Sequence, residues 1–207
     1  SLSSAALQRA RGPWAGMRTE VIGGQLLDIS LEAAGSEDPT LANSVNRYKT
    51  AAYTIERPLH LGAAVAGADA ALISAFRGYG RDIGIAFQLR DDQLGVFGDP
   101  EITGKPAGDD LREGKRTVLL SLALQRADEK DPASAKVLRS LIGNTEDPAE
   151  IAQMAQIIAD SGAPQMLEEQ ISALTESGLG HLRKAHVDPA VTETLEALAI
   201  KSTARRM

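Results

Sequence analysis

Residues 147–161 read DPAEIAQMAQIIADS, and this stretch decides the fold class. Asp147 has the side chain of a good helix N-cap, and Pro148 suits the first helical turn, where its missing N–H leaves no bond unmade. Behind them Ile151, Met154, Ala155 and Ile158 recur at the i, i+3, i+4, i+7 spacing of a helix with one buried face. The same opening occurs at Asp38-Pro39, Asp99-Pro100, Asp131-Pro132 and Asp188-Pro189. A helix-period pattern follows each of these except Asp99-Pro100, which runs into a glycine-rich loop. Working outward predicts helices over 14–34, 40–56, 58–67, 69–97, 116–129, 132–142, 148–161, 164–186 and 189–203. No stretch alternates apolar and polar residues over a strand's length. The chain reads as all-α.

Segment 59–76 is apolar and crowded with Ala and Gly, which lets neighbouring helices approach closely, so it is expected in the interior. Residues 98–116, GDPEITGKPAGDDLREGKR, interrupt the helical pattern with four glycines, two prolines and charges of both signs. Long irregular stretches inside helical chains more often carry function than not. No internal repeat or composition break marks a boundary, so residues 1–207 are expected to form a single helical domain.

Composition narrows the function. The 207 residues carry a formal net charge of −6, with 22 basic against 28 acidic side chains, and no basic stripe that would fit nucleic acid. Aromatic residues make up 3%, too few for the stacking platforms of single-strand binders. Cysteine is absent, which removes disulfides, thiolate metal sites and Cys nucleophiles. No charge-free apolar run is long enough to span a membrane, so a soluble cytoplasmic protein is expected.

The chemistry gathers around residues 87–95, FQLRDDQLG. Gln88 stands three and four residues before Asp91 and Asp92, so its amide can lie over both carboxylates. Adjacent carboxylates repel unless a cation joins them. A solvated acidic face is the plain alternative, but Ile83, Ala86 and Phe87 ahead of the pair are apolar and a lysine-bearing loop follows. Paired carboxylates beside ammonium groups suit Mg²⁺ and phosphate, with Lys105 and Lys115 as point charges and Asp109 and Asp110 between them. The stretch GDDLREGKR is no P-loop, because five residues separate Gly108 from Gly114 and Arg116 follows Lys115. Two earlier clusters fit the same chemistry. GGQLLD sets Gln25 and Asp28 three apart, and YKTAAY sets Lys49 and Tyr53 four apart with Thr50 alongside.

The order GQxxD, YKT, FQxxDD, GKxxGxDLxxGKxT resembles the trans-isoprenyl diphosphate synthases of the polyprenyl synthetase family, most nearly the bacterial geranylgeranyl type. The resemblance implies an isoprenoid-synthase helical bundle around an apolar cavity, with Mg²⁺ bound between two Asp-rich motifs. It implies condensation of isopentenyl diphosphate with an allylic diphosphate into a geranylgeranyl or similar polyprenyl diphosphate. Asp91 and Asp92 then resemble the second Asp-rich motif, with Gln88 as companion, and Asp28 and Asp110 the carboxylates that reach metal through water. Lys49 and Thr50 resemble the pair at the diphosphate and emerging cation, with Tyr53 a nearby hydroxyl. Gln25, Lys105 and Lys115 resemble diphosphate and cavity contacts. A homodimer, with no nucleic acid and no stable membrane insertion, is implied as well.

Two departures from the family pattern stand out. The usual DDxxD has Gly95 in place of its last Asp, and no first Asp-rich motif occurs in the chain. The chain is therefore expected to be the C-terminal part of a longer synthase, incomplete alone. The competing readings are a regulatory subunit of a heteromeric synthase, a related terpene synthase, and a helical bundle with merely solvated acidic pairs. His60, His181 and His186 match no catalytic position and are expected to be structural, Trp14 is expected to pack, and Arg205 and Arg206 form a basic terminus.

Overall fold

The computed structural model of the chain describes residues 2–104, 106–185 and 187–204, with residues 102 and 103 by their backbone alone. Its helices are α1 (Ser4–Ala34), α2 (Pro39–Val45), a π-helical segment (Asn46–Glu56), α3 (Arg57–Ala66) and α4 (Ala70–Phe97). There follow α5 (Pro100–Thr103), α6 (Asp109–Arg112), α7 (Val118–Lys130), α8 (Pro132–Leu141), α9 (Pro148–Ser161), α10 (Ala163–Arg183) and α11 (Pro189–Thr203). Among the described residues no strand occurs, and no helix is long and apolar enough to cross a membrane.

Every Asp-Pro pair opens a helix. Asp147 and Asp188 each accept a backbone N–H at 2.9 Å, from Ala149 and Ala190, and Asp38 accepts from Thr40 at 2.8 Å. Asp131 caps α8 through Ser134. Asp99-Pro100, expected to enter a loop, also caps a helix, accepting from the Glu101 N–H at 2.9 Å. That helix is a single turn because Gly104, at φ +70°, closes it in the left-handed conformation.

The N-terminal boundary differs more. α1 begins at Ser4, not at residue 14, and carries Pro13 inside it. Ser3 caps it through the Ala6 N–H at 3.2 Å, and the good helix formers Ala5, Ala6, Leu7 and Gln8 offset the bond Pro13 cannot make. Arg9 ties these turns down by donating to the Ala64 and Val65 carbonyls at 2.7 and 2.9 Å, at the C-terminus of α3. The predicted helix 40–56 divides into α2 and the π-helical segment.

The described residues fall into two compact units. The first takes residues 2–27, 44–88 and 171–204. Its core joins Tyr79 and Ile83 of α4 to Leu179 and Leu182 of α10 and Ala199 of α11. The buried Tyr79 hydroxyl donates to the Leu195 carbonyl at 2.7 Å. The second unit takes residues 28–43 and 89–170. At its centre lies α7, buried from Val118 through Leu124 and again at Ala127, against α8 and α9. The interior expected at 59–76 is therefore misplaced, since within it only Ala63 and Ala64 are buried. Burial free energy follows apolar area, and the large aliphatic run of α7 has far more of it than a run of Ala and Gly. Trp14, expected to pack, is 50% exposed.

Candidate functional site

The π-helical segment carries Lys49, Thr50 and Tyr53. π-Helical turns are rare and cluster at functional positions. This one is gripped by backbone. A Cβ built on Gly24 of α1 would lie 2.8 Å from Lys49 Cα, and one on Gly84 of α4 would lie 2.5 Å from Ala51 Cα. Gly80, one turn before Gly84, meets Glu56 Cα at the same 2.5 Å. Next along that stripe of α4 stands Gln88, whose Oε1 accepts from the Thr50 hydroxyl at 2.8 Å. The Gln88 amide predicted to lie over the acidic pair thus gives its carbonyl oxygen to Thr50. Gln25, directly after Gly24, is exposed, and Tyr53 is half exposed.

Sequence reasoning missed the charges around this segment. Glu56 is 1% exposed and sits between Arg47 and Arg77, the latter at 3.0 Å. Arg57 holds Glu20 by paired contacts and lies 3.0 Å from His60 Nδ1. The hydrogen bond from Arg57 holds the Glu20 carboxyl below the ordinary 4.5, against burial. Burial, with Arg57 and Arg77 adding to it, holds His60 below the ordinary 6.5. The adjacent Glu56-Arg57 in the sequence was the available signal, since a charged pair inside an otherwise apolar run needs partners.

In the second unit, α4 delivers Asp91 and Asp92 in different directions. Successive helical residues point about 100° apart, so Asp91 is exposed while Asp92 is 3% exposed. Asp110, the second residue of α6, has its side chain 13% exposed, and its Oδ1 accepts from Lys115 Nζ at 2.6 Å. Glu113 holds the same ammonium at 2.8 Å. Burial works to lower the pKa of Lys115, and the bonds from Asp110 and Glu113 outweigh it, so the ammonium is held above the ordinary lysine value. Asp109 pairs instead with Arg112 at 3.1 Å. Gly95, where the family pattern has an Asp, faces Asp110: a Cβ there would fall on its carboxylate, 3.0 Å from Oδ1 and closer to Oδ2. Asp28 is half-buried near the end of α1.

The predicted residues thus form two groups. Gln25, Lys49, Thr50, Tyr53 and Gln88 belong to the first unit, and Asp28, Asp91, Asp92, Asp110 and Lys115 to the second. Lys105, His186, Arg205 and Arg206 lie outside the described residues. Among the described residues no three His, Asp or Glu side chains converge closely enough to hold a metal by themselves. Pairs of hard carboxylate oxygens nonetheless suit Mg²⁺, which takes one or two carboxylates and completes its shell with water and phosphate.

Comparison with known proteins gives these groups a context. The chain is 61% identical to geranylgeranyl pyrophosphate synthase of Corynebacterium glutamicum, solved with isoprenyl diphosphate and magnesium. The two superpose with a TM-score of 0.97 over 99% of this chain and 57% of that one. It is 38% identical over 130 residues to geranylfarnesyl diphosphate synthase of Aeropyrum pernix, covering 63% of this chain and 37% of that protein. It is also 48% identical over 69 residues to geranylgeranyl diphosphate synthase of Mycobacterium tuberculosis, or 33% of this chain and 20% of that one. The matches span well under two thirds of each relative. The Polyprenyl synthetase family model matches residues 14–160, and the chain belongs to that family.

Proposed function

We propose that this chain supplies the diphosphate-binding part of a trans-prenyltransferase that condenses isopentenyl diphosphate with an allylic diphosphate. The product by this reading is geranylgeranyl or a similar polyprenyl diphosphate. The observation that carries it is the 61% identity, along almost the whole chain, to a geranylgeranyl pyrophosphate synthase solved with isoprenyl diphosphate and magnesium. A homodimer working in the cytoplasm completes the reading, on the strength of the family resemblance.

The side chains suit the reaction's electrostatics. The allylic C–O bond breaks heterolytically, its electron pair leaves with the diphosphate, the alkene of isopentenyl diphosphate attacks the cation, and a proton departs. Lys49 and Lys115 neutralise diphosphate oxygens as point charges, with Lys105 assigned alongside by resemblance. Thr50, fixed by its bond to Gln88, presents its hydroxyl oxygen beside Lys49, where a developing cation gains from an aligned dipole. Gln25 and Tyr53 offer an amide and a hydroxyl to orient substrate. Asp91, Asp92, Asp28 and Asp110 are the residues that would hold Mg²⁺. When bound, the ion draws negative charge off the leaving group.

The test is binding followed by turnover. Mg²⁺ with pyrophosphate raises the melting temperature, whereas Mg²⁺ alone does not. Asp91→Ala removes most of that rise and leaves the fold intact. Absence of any shift, together with no elongated product from labelled isopentenyl diphosphate and an allylic diphosphate, would overturn the assignment.

A further inference from the structure

Gly95 lies on α4 four residues after Asp91, on the same helical face. Its bare Cα is covered by the side chain of Asp110, reaching from α6. A single added carbon at residue 95 would occupy the place of the Asp110 carboxylate. That carboxylate is mostly buried and is tied on its other side to Lys115 Nζ at 2.6 Å. The Lys115 backbone N–H also donates to the Asp110 carbonyl at 3.0 Å, so side chain and main chain hold the two residues in one arrangement. Glycine in a helix interior is otherwise less favourable than alanine, because it loses more chain freedom on folding. No backbone demand at residue 95 offsets that cost, since positive φ occurs elsewhere, at glycines such as Gly104 and Gly108. What the glycine provides is room for one carboxylate.

We propose that Gly95 is a positioning residue: the gap it leaves on α4 seats the Asp110 carboxylate, and through it fixes the Lys115 ammonium for an anionic ligand. The loop thereby brings a carboxylate to the face of α4 one turn beyond Asp91, at a place where the helix has none of its own. A side chain at residue 95 would push the Asp110 carboxylate out of its present place. The inference rests on the diphosphate reading for its ligand but not for its geometry.

The test is a cycle of four proteins: wild type, Gly95→Ala, Asp110→Ala and the double variant, melted without ligand. In the Asp110→Ala background, Gly95→Ala raises the melting temperature by roughly 2–4 °C, the gain expected from the better helix former. In the wild-type background the same change gives no gain or a loss, because the methyl displaces Asp110. Equal gains in both backgrounds would show that the seat does not exist. Titration with Mg²⁺ and inorganic pyrophosphate adds the functional arm. Gly95→Ala weakens binding by about 10–100-fold with an unchanged circular dichroism spectrum. The exchange Gly95→Asp with Asp110→Gly returns a carboxylate to this face of α4 and recovers most of the affinity. If the exchange binds no better than Gly95→Ala, the seat has no role in positioning charge. If wild type itself binds no pyrophosphate, the diphosphate reading fails, and the ligand-free cycle still decides the seat.

Discussion

The π-helical segment and the loop around α5 and α6 carry their functional side chains by opposite means. The first is placed by contact of backbone on backbone. Gly24, Gly80 and Gly84 come from two helices and leave no room for a Cβ against Lys49, Ala51 and Glu56. The second, apart from the seat of Asp110 at Gly95, is placed by charge: Asp109 with Arg112, Arg112 with Glu146 at 3.1 Å, and Lys115 between Asp110 and Glu113. Steric placement is indifferent to salt but intolerant of one extra carbon. Away from that seat, electrostatic placement tolerates substitution and weakens as ions screen it.

The largest expected effect breaks the steric side. Gly24→Ala forces the Lys49 backbone away and destabilises by about 1–3 kcal/mol, as overpacking does. Denaturant titration reads the loss, and pyrophosphate affinity falls with it. A neutral Gly24→Ala would mean the segment is not clamped. Next is Thr50→Val, which removes the donor to Gln88 and costs about 1 kcal/mol with little change in shape. Its signature is a fall in turnover larger than the fall in substrate affinity, and equal falls would assign Thr50 to binding alone.

Acid sharpens the comparison further. The folded chain keeps His60 neutral below the pH at which the unfolded chain protonates it, so stability falls as pH drops below 6.5. Glu20, held below 4.5 by Arg57, adds a second loss at lower pH, as its stabilising charge disappears. Melting curves from pH 7 to pH 3 follow both losses, and His60→Asn removes only the first. The smallest effect belongs to the loop. Lys115→Met changes stability by less than about 1 kcal/mol, since the pair is partly solvated. Adding about 0.5 M salt should weaken pyrophosphate binding in wild type and do less in this variant. A salt-insensitive wild type would remove the contrast between the two regions.

Much of the architecture was legible because its signals are local. Asp147 and Asp188 with their prolines mark α9 and α11 to the residue, and 116–129 falls close to α7. The family pattern was legible in residues 87–117 for the same reason. What stayed hidden depends on residues far apart in the chain. The π-helical segment owes its placement to glycines at 24, 80 and 84, and no window of local sequence contains all three with Lys49. Helix α1 passes through Pro13 with the help of an Arg9 anchor on residues 64 and 65. The partner of Gly95 lies fifteen residues on, across a loop whose path periodicity does not reveal.

Tyr79 gives the first unit a built-in optical gauge. Of the chain's three tyrosines, Tyr48 and Tyr53 are half exposed, whereas Tyr79 is buried, and burial pushes its phenol up to about 12. Its phenolate absorbance in the ultraviolet therefore develops only late in an alkaline titration. The late fraction of the signal belongs to the tyrosine clasped by Leu195, and its premature arrival in any variant would report that α4 and α11 have parted.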